Sequence, residues 1–387
     1  HECSSAASDV YKRQFMILGA ISSTDKKDLR SAIHPDTIKY LLDMGIEVIF
    51  ESGAGDGISA TDSKFEKIGA KSKSRHDCIR SSDILLSPGK LNDDEIMDMK
   101  SNSIFMGLLN PFTNREQFQQ FKKRGNTAIS MEFIPRITRA QKMDVLSSQS
   151  NLAGYVAVIE SAKLLNAALP MMMTAAGTLK PANVFVIGVG VAGLQAIATA
   201  KRLGAKVEAF DTRPIVEEQV KSLGAKFVKI DLGNTGETSQ GYAQELTKEQ
   251  LKLQKNLQAD VCKKSDIVIT TAQIFGKPAP KLIDLNTIKA MKEGSVVFDM
   301  AIESGGNVEG SKIDSIENIN GVNIVGFSNL PSYVSSHASF ALSNNFINLI
   351  SDFYDNEKKS FNLNLEDEIL QSATVVSAGK ILKKEFD

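Results

Sequence analysis

The chain has 387 residues, of which 42% are hydrophobic and 24% are charged, and its formal net charge is −1. A chain of this length is expected to form two domains rather than a single hydrophobic core. Its near-neutral net charge argues against nucleic acid or an anionic membrane as a partner. The three cysteines, Cys3, Cys78 and Cys262, lack metal-ligand spacing and suit a reducing, cytoplasmic compartment. We therefore predict no metal site.

The most apolar segment covers residues 167–176 and is too short for a membrane helix, which needs about 18 apolar residues or more. We interpret its Met171-Met172-Met173 run as adaptable core. Residues 1–14 begin with His1 and form a small, polar stretch without the apolar centre of a secretory signal. We predict that they are a non-native extension and that Met16 is the native start.

The N-terminal portion of the chain alternates strands and helices, which predicts a parallel sheet covered on both faces. We expect one open sheet of about five strands here. The predicted strands cover residues 15–19, 46–51, 83–86, 104–109 and 127–131, and the predicted helices cover 35–42 and 118–124. Gly125 is expected to end the second of these helices.

A long helix is predicted over 149–169, where apolar residues recur at helical spacing, and it leads into a second domain. A second parallel sheet is expected from strands at 183–187, 206–210, 226–230, 267–270, 295–299 and 322–325. The polar stretch 231–264 should be partly a mobile loop and partly a helix, and 341–350 should be a helix that returns to the first domain.

The predicted fold class is therefore α/β, with two Rossmann-like, doubly wound parallel-sheet domains separated by a cleft. The first domain combines 15–150 with 340–387 and is discontinuous. The second covers 151–339 and carries the dinucleotide site.

A glycine-rich turn, Gly188-Val189-Gly190-Val191-Ala192-Gly193, follows an apolar strand without a break and opens a helix. Gly188 permits the tight turn, Gly190 leaves room for a pyrophosphate, and Gly193 lets the helix pack on the strand. The free N–H groups and the positive end of the helix hold the phosphates. A glycine-rich turn without a ligand is the alternative interpretation.

Asp211 ends the next strand, and its carboxylate can accept hydrogen bonds from both ribose hydroxyls of the adenosine. A carboxylate there repels a 2′-phosphate, so NAD(H) is favoured over NADP(H). Arg213 is two residues further on and could tolerate that phosphate, but Asp211 occupies the strand-end position itself. The other predicted cofactor-binding residues are Thr212, Gly241, Thr271, Ala272 and Gln273.

Several long strings of residues carry a family resemblance. They cover 135–155, 171–177, the glycine turn, Gly241-Tyr242-Ala243 and 276–280. The chain, from Met16 to its end, resembles the soluble NAD(H)-binding domain I of the proton-translocating nicotinamide nucleotide transhydrogenases, which is the alpha-1 subunit in bacterial enzymes with a split alpha chain. The same fold family contains alanine dehydrogenase.

This resemblance implies direct hydride transfer from NADH held here to NADP⁺ held on the domain III subunit, while a membrane-spanning subunit couples the exchange to proton translocation. It also implies a homodimer, held at the cytoplasmic face of the inner membrane by the partner subunits. The chain stops at Asp387 without a membrane helix. Both a complete alpha-1-type subunit and a truncated longer chain fit this resemblance.

The resemblance further implies a polar loop over the nicotinamide, made of Arg136, Gln141, Asp144 and Ser147. Gln141 would contact the neighbouring nucleotide or orient the two rings. Arg136 and Asp144 would pair and fix the carboxamide, and Ser147 would complete its hydrogen bonds. Tyr242 matches the mobile-loop tyrosine that closes over the nucleotide. The alternative interpretation is that Arg136 and Asp144 form only a surface or structural ion pair, and that Tyr242 is a packing residue.

Alanine dehydrogenase is the rival activity, and it needs a catalytic His and a substrate-binding Lys. The strand after Ile104 carries no His, and the strand 84–87 carries no Lys. We interpret His34, His76 and His337 as structural or solvated, and Arg30 as an inherited fold feature. A catalytically silent NAD(H) sensor is the second alternative, and the polar loop argues against it.

Overall fold

The computed structural model describes residues 15–231, 233 and 246–387. The predicted extension 1–14, Gly241 and Tyr242 therefore lie outside the described residues. The chain forms two compact units: unit 1 contains the described residues up to Val145 together with Ser335–Asp387, and unit 2 is Leu146–Val334.

Unit 1 is built on a sheet with the strand order β19-β18-β6-β5-β4-β1-β2-β3. The strands are β1 Ile17–Ala20, β2 Glu47–Glu51, β3 Lys71–Lys73, β4 Ile84–Ser87, β5 Ile104–Gly107, β6 Thr127–Ser130, β18 Thr374–Ser377 and β19 Lys380–Ile381. The first six are parallel, and β18 pairs antiparallel with both β6 and β19.

The prediction of about five strands for this sheet is wrong, because the edge strands β3 and β19 and the strand β18 beside β19 were missed. Strand β3 is short and charged, and β18 and β19 join the sheet from the far end of the chain. The helices of unit 1 are α1 Pro35–Asp43, α2 Asp62–Ile68, α3 Arg75–Ser81, α4 Asp93–Asp98, α5 Glu116–Arg124, α11 Ser335–Asp352 and α12 Glu368–Ala373. Helix α5 ends at Gly125, which has φ +82°. A small hairpin pairs β16 Tyr354–Asp355 with β17 Ser360–Phe361.

Unit 2 is built on a sheet with the order β11-β10-β9-β12-β13-β15-β14. Its strands are β9 Asn183–Ile187, β10 Lys206–Phe210, β11 Lys226–Phe227, β12 Ile267–Thr270, β13 Val296–Asp299, β14 Ile316–Ile319 and β15 Val322–Val325. The edge strand β14 is antiparallel to β15. Its helices are α6 Val145–Leu164, which begins at the boundary, α7 Val191–Arg202, α8 Glu217–Ser222, α9 Lys248–Cys262 and α10 Leu285–Lys289.

The central strands of unit 2 are buried on both faces. In β9, residues Val184 to Ile187 are each exposed by 1% or less, and the side chains of β12 are equally inaccessible. Apolar runs without alternation are typical of parallel strands with helices on both sides. The consequence is a rigid sheet whose carboxyl-end loops can present polar groups.

The interpretation of the methionine run as core is wrong. Met171, Met172 and Met173 are 60%, 41% and 82% exposed. Met172 and Met173 lie on an antiparallel hairpin of β7 Met172–Thr174 and β8 Gly177–Leu179, and Met171 immediately precedes it. Ala175 and Ala176 form the turn, and Gly177, with φ +127°, begins the second strand. The apolar composition of this segment therefore belongs to an exposed surface.

Candidate functional site

The glycine turn after β9 is the first element of the candidate site. Gly188 has φ +97°, a conformation that favours glycine, and a Cβ there would lie 2.5 Å from Thr271 Oγ1. A Cβ at Gly193 would lie 2.0 Å from the Gly188 carbonyl oxygen. Only glycine at both positions allows α7 to approach the end of β9 this closely.

Gly190 differs from these two glycines, because a Cβ there would meet no atom within 4 Å. The residue is exposed and precedes α7 with φ −82°, which any residue can adopt. Among the described residues, no side chain caps the first N–H groups of α7. Open space beside uncapped N–H groups fits the pyrophosphate of a dinucleotide. Of the remaining turn residues, Val189 is buried, Ala192 is half-buried and Val191 is exposed.

The strand order of unit 2 places this turn at a switch point. The chain proceeds from β9 to β10 and β11 on one side and returns with β12 on the other side. In such sheets, ligands bind outside the carboxyl ends of the strands where the order reverses. Gly188, Asp211 and Thr271 follow the carboxyl ends of β9, β10 and β12, and Thr271 Oγ1 donates a hydrogen bond to the Gly188 carbonyl oxygen at 3.0 Å. Unit 2 therefore brings these predicted residues to one edge.

Asp211 is buried at that edge and is tied to the glycine turn. Its Oδ2 accepts from the Val189 N–H at 2.7 Å. The Arg213 side chain donates to both carboxylate oxygens, at 2.9 Å in each case, and its Nη2 also donates to the Val189 carbonyl oxygen at 3.1 Å. Thr212 lies between them and is half-buried. The sequence placed Asp211 at the strand end, but it did not indicate this ion pair.

The loop after β12 contains Ala272 and Gln273, and it is held by a residue that the sequence analysis missed. Asn307 Oδ1 accepts from the Ala272 N–H at 3.1 Å, and Asn307 Nδ2 donates to the carbonyl oxygens of Ala272 at 2.8 Å and Pro280 at 2.9 Å. Asn307 is fully buried, whereas Gln273 is exposed. The amide of Asn307 therefore fixes both ends of the loop 272–280.

Asp299, at the end of β13, sets the position of Asn307. Its buried carboxylate accepts from the N–H groups of Ala301, Asn307 and Val308 at 3.0 to 3.1 Å. Gly306 has φ +77° and permits the tight approach to this carboxylate. The sequence signal for this arrangement was an acidic residue ending a strand and a Gly305-Gly306-Asn307 turn beyond it.

The predicted polar loop is divided between the units. Arg136, Gln141 and Asp144 lie in unit 1, around a 3-10 helix at Thr138–Met143. Arg136 and Gln141 are exposed, and Asp144 is half-buried. Ser147 lies in the first turn of α6, in unit 2.

Helix α6 connects Ser147 with the glycine turn inside unit 2. A Cβ at Gly154 on α6 would lie 2.2 Å from the Ala192 carbonyl oxygen at the start of α7. The two helices therefore pack with direct backbone approach. This packing places the predicted Ser147 on an element that contacts the dinucleotide turn.

The segment 138–143 is anchored to the C-terminal portion of unit 1. Asn345 and Asn348 on α11 each donate a side-chain hydrogen bond to the Lys142 carbonyl oxygen at 3.0 Å. The Lys142 ammonium group binds Asp352, and Arg139 donates to both carboxylate oxygens of Asp367 at 2.6 Å. The hydrogen bond from Arg139 lowers the pKa of Asp367, although burial acts in the opposite direction. Backbone and side-chain contacts together hold this segment.

Glu132 is a buried acid just before the polar loop. It is 7% exposed, and burial raises its pKa against hydrogen bonds from the Ser130 hydroxyl and the Asn110 N–H. These bonds measure 2.6 and 2.7 Å. Glu132 therefore links the end of β6 to the loop after β5.

The residues relevant to the rival activity lie in unit 1. Arg30 is 10% exposed in its side chain and donates to both oxygens of Asp28, at 2.8 and 2.7 Å. His34 caps α1, where its Nδ1 accepts from the Asp36 N–H, and burial lowers its pKa. His337 lies in the first turn of α11. These contacts give Arg30 and His34 structural roles.

Three general features of the described residues bear on the function. Across the described ranges, no group of three or more His, Cys, Asp or Glu side chains is placed to hold a metal ion. Burial raises the pKa of both Cys78 and Cys262 to about 12, so neither is a reactive thiolate. Within the same ranges, none of the helices has the length and apolar composition that a membrane crossing requires.

Comparison with known proteins finds relatives over most of the chain. The family model of the alanine dehydrogenase/PNT N-terminal domain matches residues 22–153, and the family model of the C-terminal domain matches residues 157–384. A Rhodospirillum rubrum protein named as the first part of NAD(P) transhydrogenase subunit alpha is 45% identical over 361 residues, which cover 91% of this chain and 94% of that protein.

Two solved structures confirm the predicted Rossmann-like α/β fold class. The transhydrogenase from Sinorhizobium meliloti aligns with a TM-score of 0.85 and 39% identity, covering 94% of this chain and 99% of that chain. An L-alanine dehydrogenase aligns with a TM-score of 0.79, covering 96% of this chain and 98% of that chain. Its identity is 22%, so this second likeness shows the fold alone.

Proposed function

Because this chain belongs to the alanine dehydrogenase/PNT family and is 45% identical to a transhydrogenase alpha subunit, we propose that it is the NAD(H)-binding component of a proton-translocating transhydrogenase. The observation that carries the proposal is the turn of unit 2, in which Gly190 has open space in front of uncapped helix N–H groups and Asp211 lies at the neighbouring strand end. NADH bound there supplies a hydride to NADP⁺ on the domain III subunit.

The residues of this chain bind and position the nucleotide. The N–H groups of α7 hold the pyrophosphate, and Asp211 receives the adenosine ribose. Since the adenosine half lies over β10, the nicotinamide half extends past β12, toward Thr271 to Gln273. Direct hydride transfer needs no general acid or base, so these residues act by orientation and by exclusion of water.

The loop residues complete the proposal on the nicotinamide side. We assign ring orientation to Gln141, carboxamide binding to the Arg136–Asp144 pair with Ser147, and closure to Tyr242. Gln141 is exposed, which leaves its amide available to a nucleotide or a partner. Gln141→Ala should lower the rate of hydride transfer with little change in NADH affinity, whereas Gln119→Ala, on the exposed face of α5, should change neither.

We further propose that the chain is a homodimer held at the cytoplasmic face of the inner membrane by a membrane-spanning subunit and the NADP(H)-binding subunit. The exposed hairpin supports the dimer, since Met171, Met173 and Leu179 offer apolar surface there. Met173→Asp should shift the sedimentation coefficient to that of a monomer. The same change at the exposed Leu382 should not, and a dimeric Met173→Asp protein would remove the hairpin from the interface.

The experiment that tests the proposed function measures cyclic reduction of an NAD⁺ analogue by NADH. The chain is assayed alone, and with the NADP(H)-binding subunit and NADP(H). We expect activity only in the mixture, and loss of it with Gly190→Ala, because a methyl group there fills the pyrophosphate space. Activity of the chain without NADP(H) and partner would contradict the proposal.

The same preparation tests the rival reaction. Alanine dehydrogenase activity would oxidise NADH in the presence of pyruvate and ammonia, without any partner. We expect none, because Arg30 is engaged by Asp28 and strand β5 carries no His. Pyruvate-dependent oxidation would favour the rival, and NADH binding without either reaction would favour an NAD(H) sensor.

A further inference from the structure

The carboxylate of Asp211 has no acceptor position left for a ligand in the conformation of unit 2. Its Oδ1 accepts from the backbone N–H and the Nε of Arg213, both at 2.9 Å. Its Oδ2 accepts from the Val189 N–H at 2.7 Å and from Arg213 Nη2 at 2.9 Å. A carboxylate offers about four lone-pair sites, so these four donors occupy it.

Ribose binding at Asp211 therefore requires an exchange. The two backbone donors belong to the glycine turn and to the strand end, and they are fixed by the fold. The two side-chain donors of Arg213 are the ones that ribose hydroxyls can replace. The side chains of Arg213 and Asp211 are only 13% and 6% exposed, and such shielding strengthens a charge-assisted pair.

The released guanidinium matters for specificity. A planar guanidinium matches the geometry of a phosphate group, and an Arg near the ribose is what accommodates a 2′-phosphate in NADP-binding sites. Here that cation is present but is neutralised by the acid beside it. The Asp211 carboxylate thus excludes a 2′-phosphate by repulsion and also by holding the cation that would bind it.

We propose that Arg213 is a second specificity-determining residue of the adenosine end, paired with Asp211 in this conformation and exchanged for the ribose hydroxyls when NADH binds. This inference rests on the proposed function, because it takes NADH as the ligand of the turn. It makes the pair, rather than the acid alone, the basis of NAD(H) preference. Unit 2 therefore contains a latent site for the 2′-phosphate of NADPH.

The test is a double-mutant cycle on the full chain, with NADH and NADPH dissociation constants measured by calorimetry. The proteins are the unmodified chain, Asp211→Asn, Arg213→Met and the double variant. Asp211→Asn should weaken NADH binding and tighten NADPH binding by about tenfold each, since the released guanidinium then binds phosphate. Arg213→Met alone should not tighten NADPH binding, and in the double variant the NADPH gain should disappear.

Controls separate this inference from the function beneath it. Lys226→Met breaks an exposed ion pair with Glu208, on the neighbouring strand, and should change neither constant. Thermal melting shows whether each variant folds. If Asp211→Asn does not fold, Asp211→Ser replaces it, with the same expected changes in NADH and NADPH affinity. If the double variant binds NADPH as tightly as the single Asp211 variant, or if the single variant gains no NADPH affinity, the inference is overturned. If the unmodified chain binds no NADH, the proposed function itself is overturned.

Discussion

The change Asn307→Ala tests how the loop 272–280 is held in place. The Asn307 side chain makes three hydrogen bonds, one accepted from the Ala272 N–H and two donated to the carbonyl oxygens of Ala272 and Pro280. Alanine removes all three and leaves a small void in a fully buried position. We expect both the stability of the protein and its affinity for NADH to fall.

The magnitude follows from the groups left without partners. An unsatisfied buried donor or acceptor costs about 1–3 kcal/mol. Ala272 and Pro280 are half-buried, so water can reach part of this surface and the low end of that range applies. Three groups at the low end give a loss of about 3 kcal/mol in the free energy of unfolding. If the loop instead opens locally, the lost free energy appears as weaker NADH binding, and the dissociation constant rises about tenfold for each 1.4 kcal/mol.

The assay combines urea denaturation with NADH titration of the same preparation. Asn307→Asp is informative beside the alanine variant, because it retains an acceptor for the Ala272 N–H but directs a negative charge at two carbonyl oxygens. Asn286→Ala is the control, since Asn286 on α10 makes none of the hydrogen bonds that hold the loop and should change stability by less than about 0.5 kcal/mol.

Two results would refute the reasoning about Asn307. One is an alanine variant with unchanged unfolding free energy and unchanged NADH affinity. The other is an aspartate variant that behaves as the unmodified protein does, because the two donated hydrogen bonds would then contribute nothing. Either result would mean that the loop keeps its conformation without the buried amide.

Three further predictions concern other regions of the site. Gly190→Ala should lose NADH binding but melt within a few degrees of the unmodified protein. Gly193→Ala should also be destabilised, because its Cβ would lie 2.0 Å from a carbonyl oxygen. Equal melting temperatures of the two variants would contradict this contrast. Because the pKa of Glu132 is raised in the folded protein, its protonation stabilises the fold fully below the unfolded pKa of about 4.3, and this stabilisation is lost as pH rises through the folded pKa. Glu132→Gln should therefore flatten the plot of unfolding free energy against pH between these two pKa values. A plot that the variant leaves unchanged would exclude the effect. Replacing both Asn345 and Asn348 by Ala should slow hydride transfer in the full complex while leaving NADH affinity of unit 2 intact, and weakened NADH binding would show a wider role.

The features of the fold and site with local signals could be predicted from the sequence. An uninterrupted apolar run leads into the glycine turn, and the spacing from Gly193 to Asp211 matches one strand–helix–strand unit. The end of helix α5 at Gly125 could be predicted for the same reason, because the φ of +82° at that position favours glycine. In each case a few neighbouring residues carry the physical requirement.

The remaining features depend on distant residues or on their surroundings. Asn307 could not be found as a loop anchor, because its partners Ala272 and Pro280 lie far away in sequence. Strands β18 and β6 pair although all of unit 2 lies between them in the sequence, so no local sequence pattern indicates this pairing. The methionine run shows the opposite limitation, since its apolar composition is compatible with either a core or an exposed hairpin.

The division of unit 1 between the two ends of the chain has a consequence for its biosynthesis. Unit 2 is continuous, so it can complete its sheet while the ribosome is still adding residues of the last segment. Until Thr374–Ser377 emerges, β6 is an unpaired sheet edge. Until Asn345 and Asn348 emerge, the Lys142 carbonyl oxygen lacks its two side-chain donors. Exposed edges of this kind invite association with other chains. We therefore expect unit 2 to complete its fold before unit 1 does, and we expect chaperones to act mainly on the sheet of unit 1.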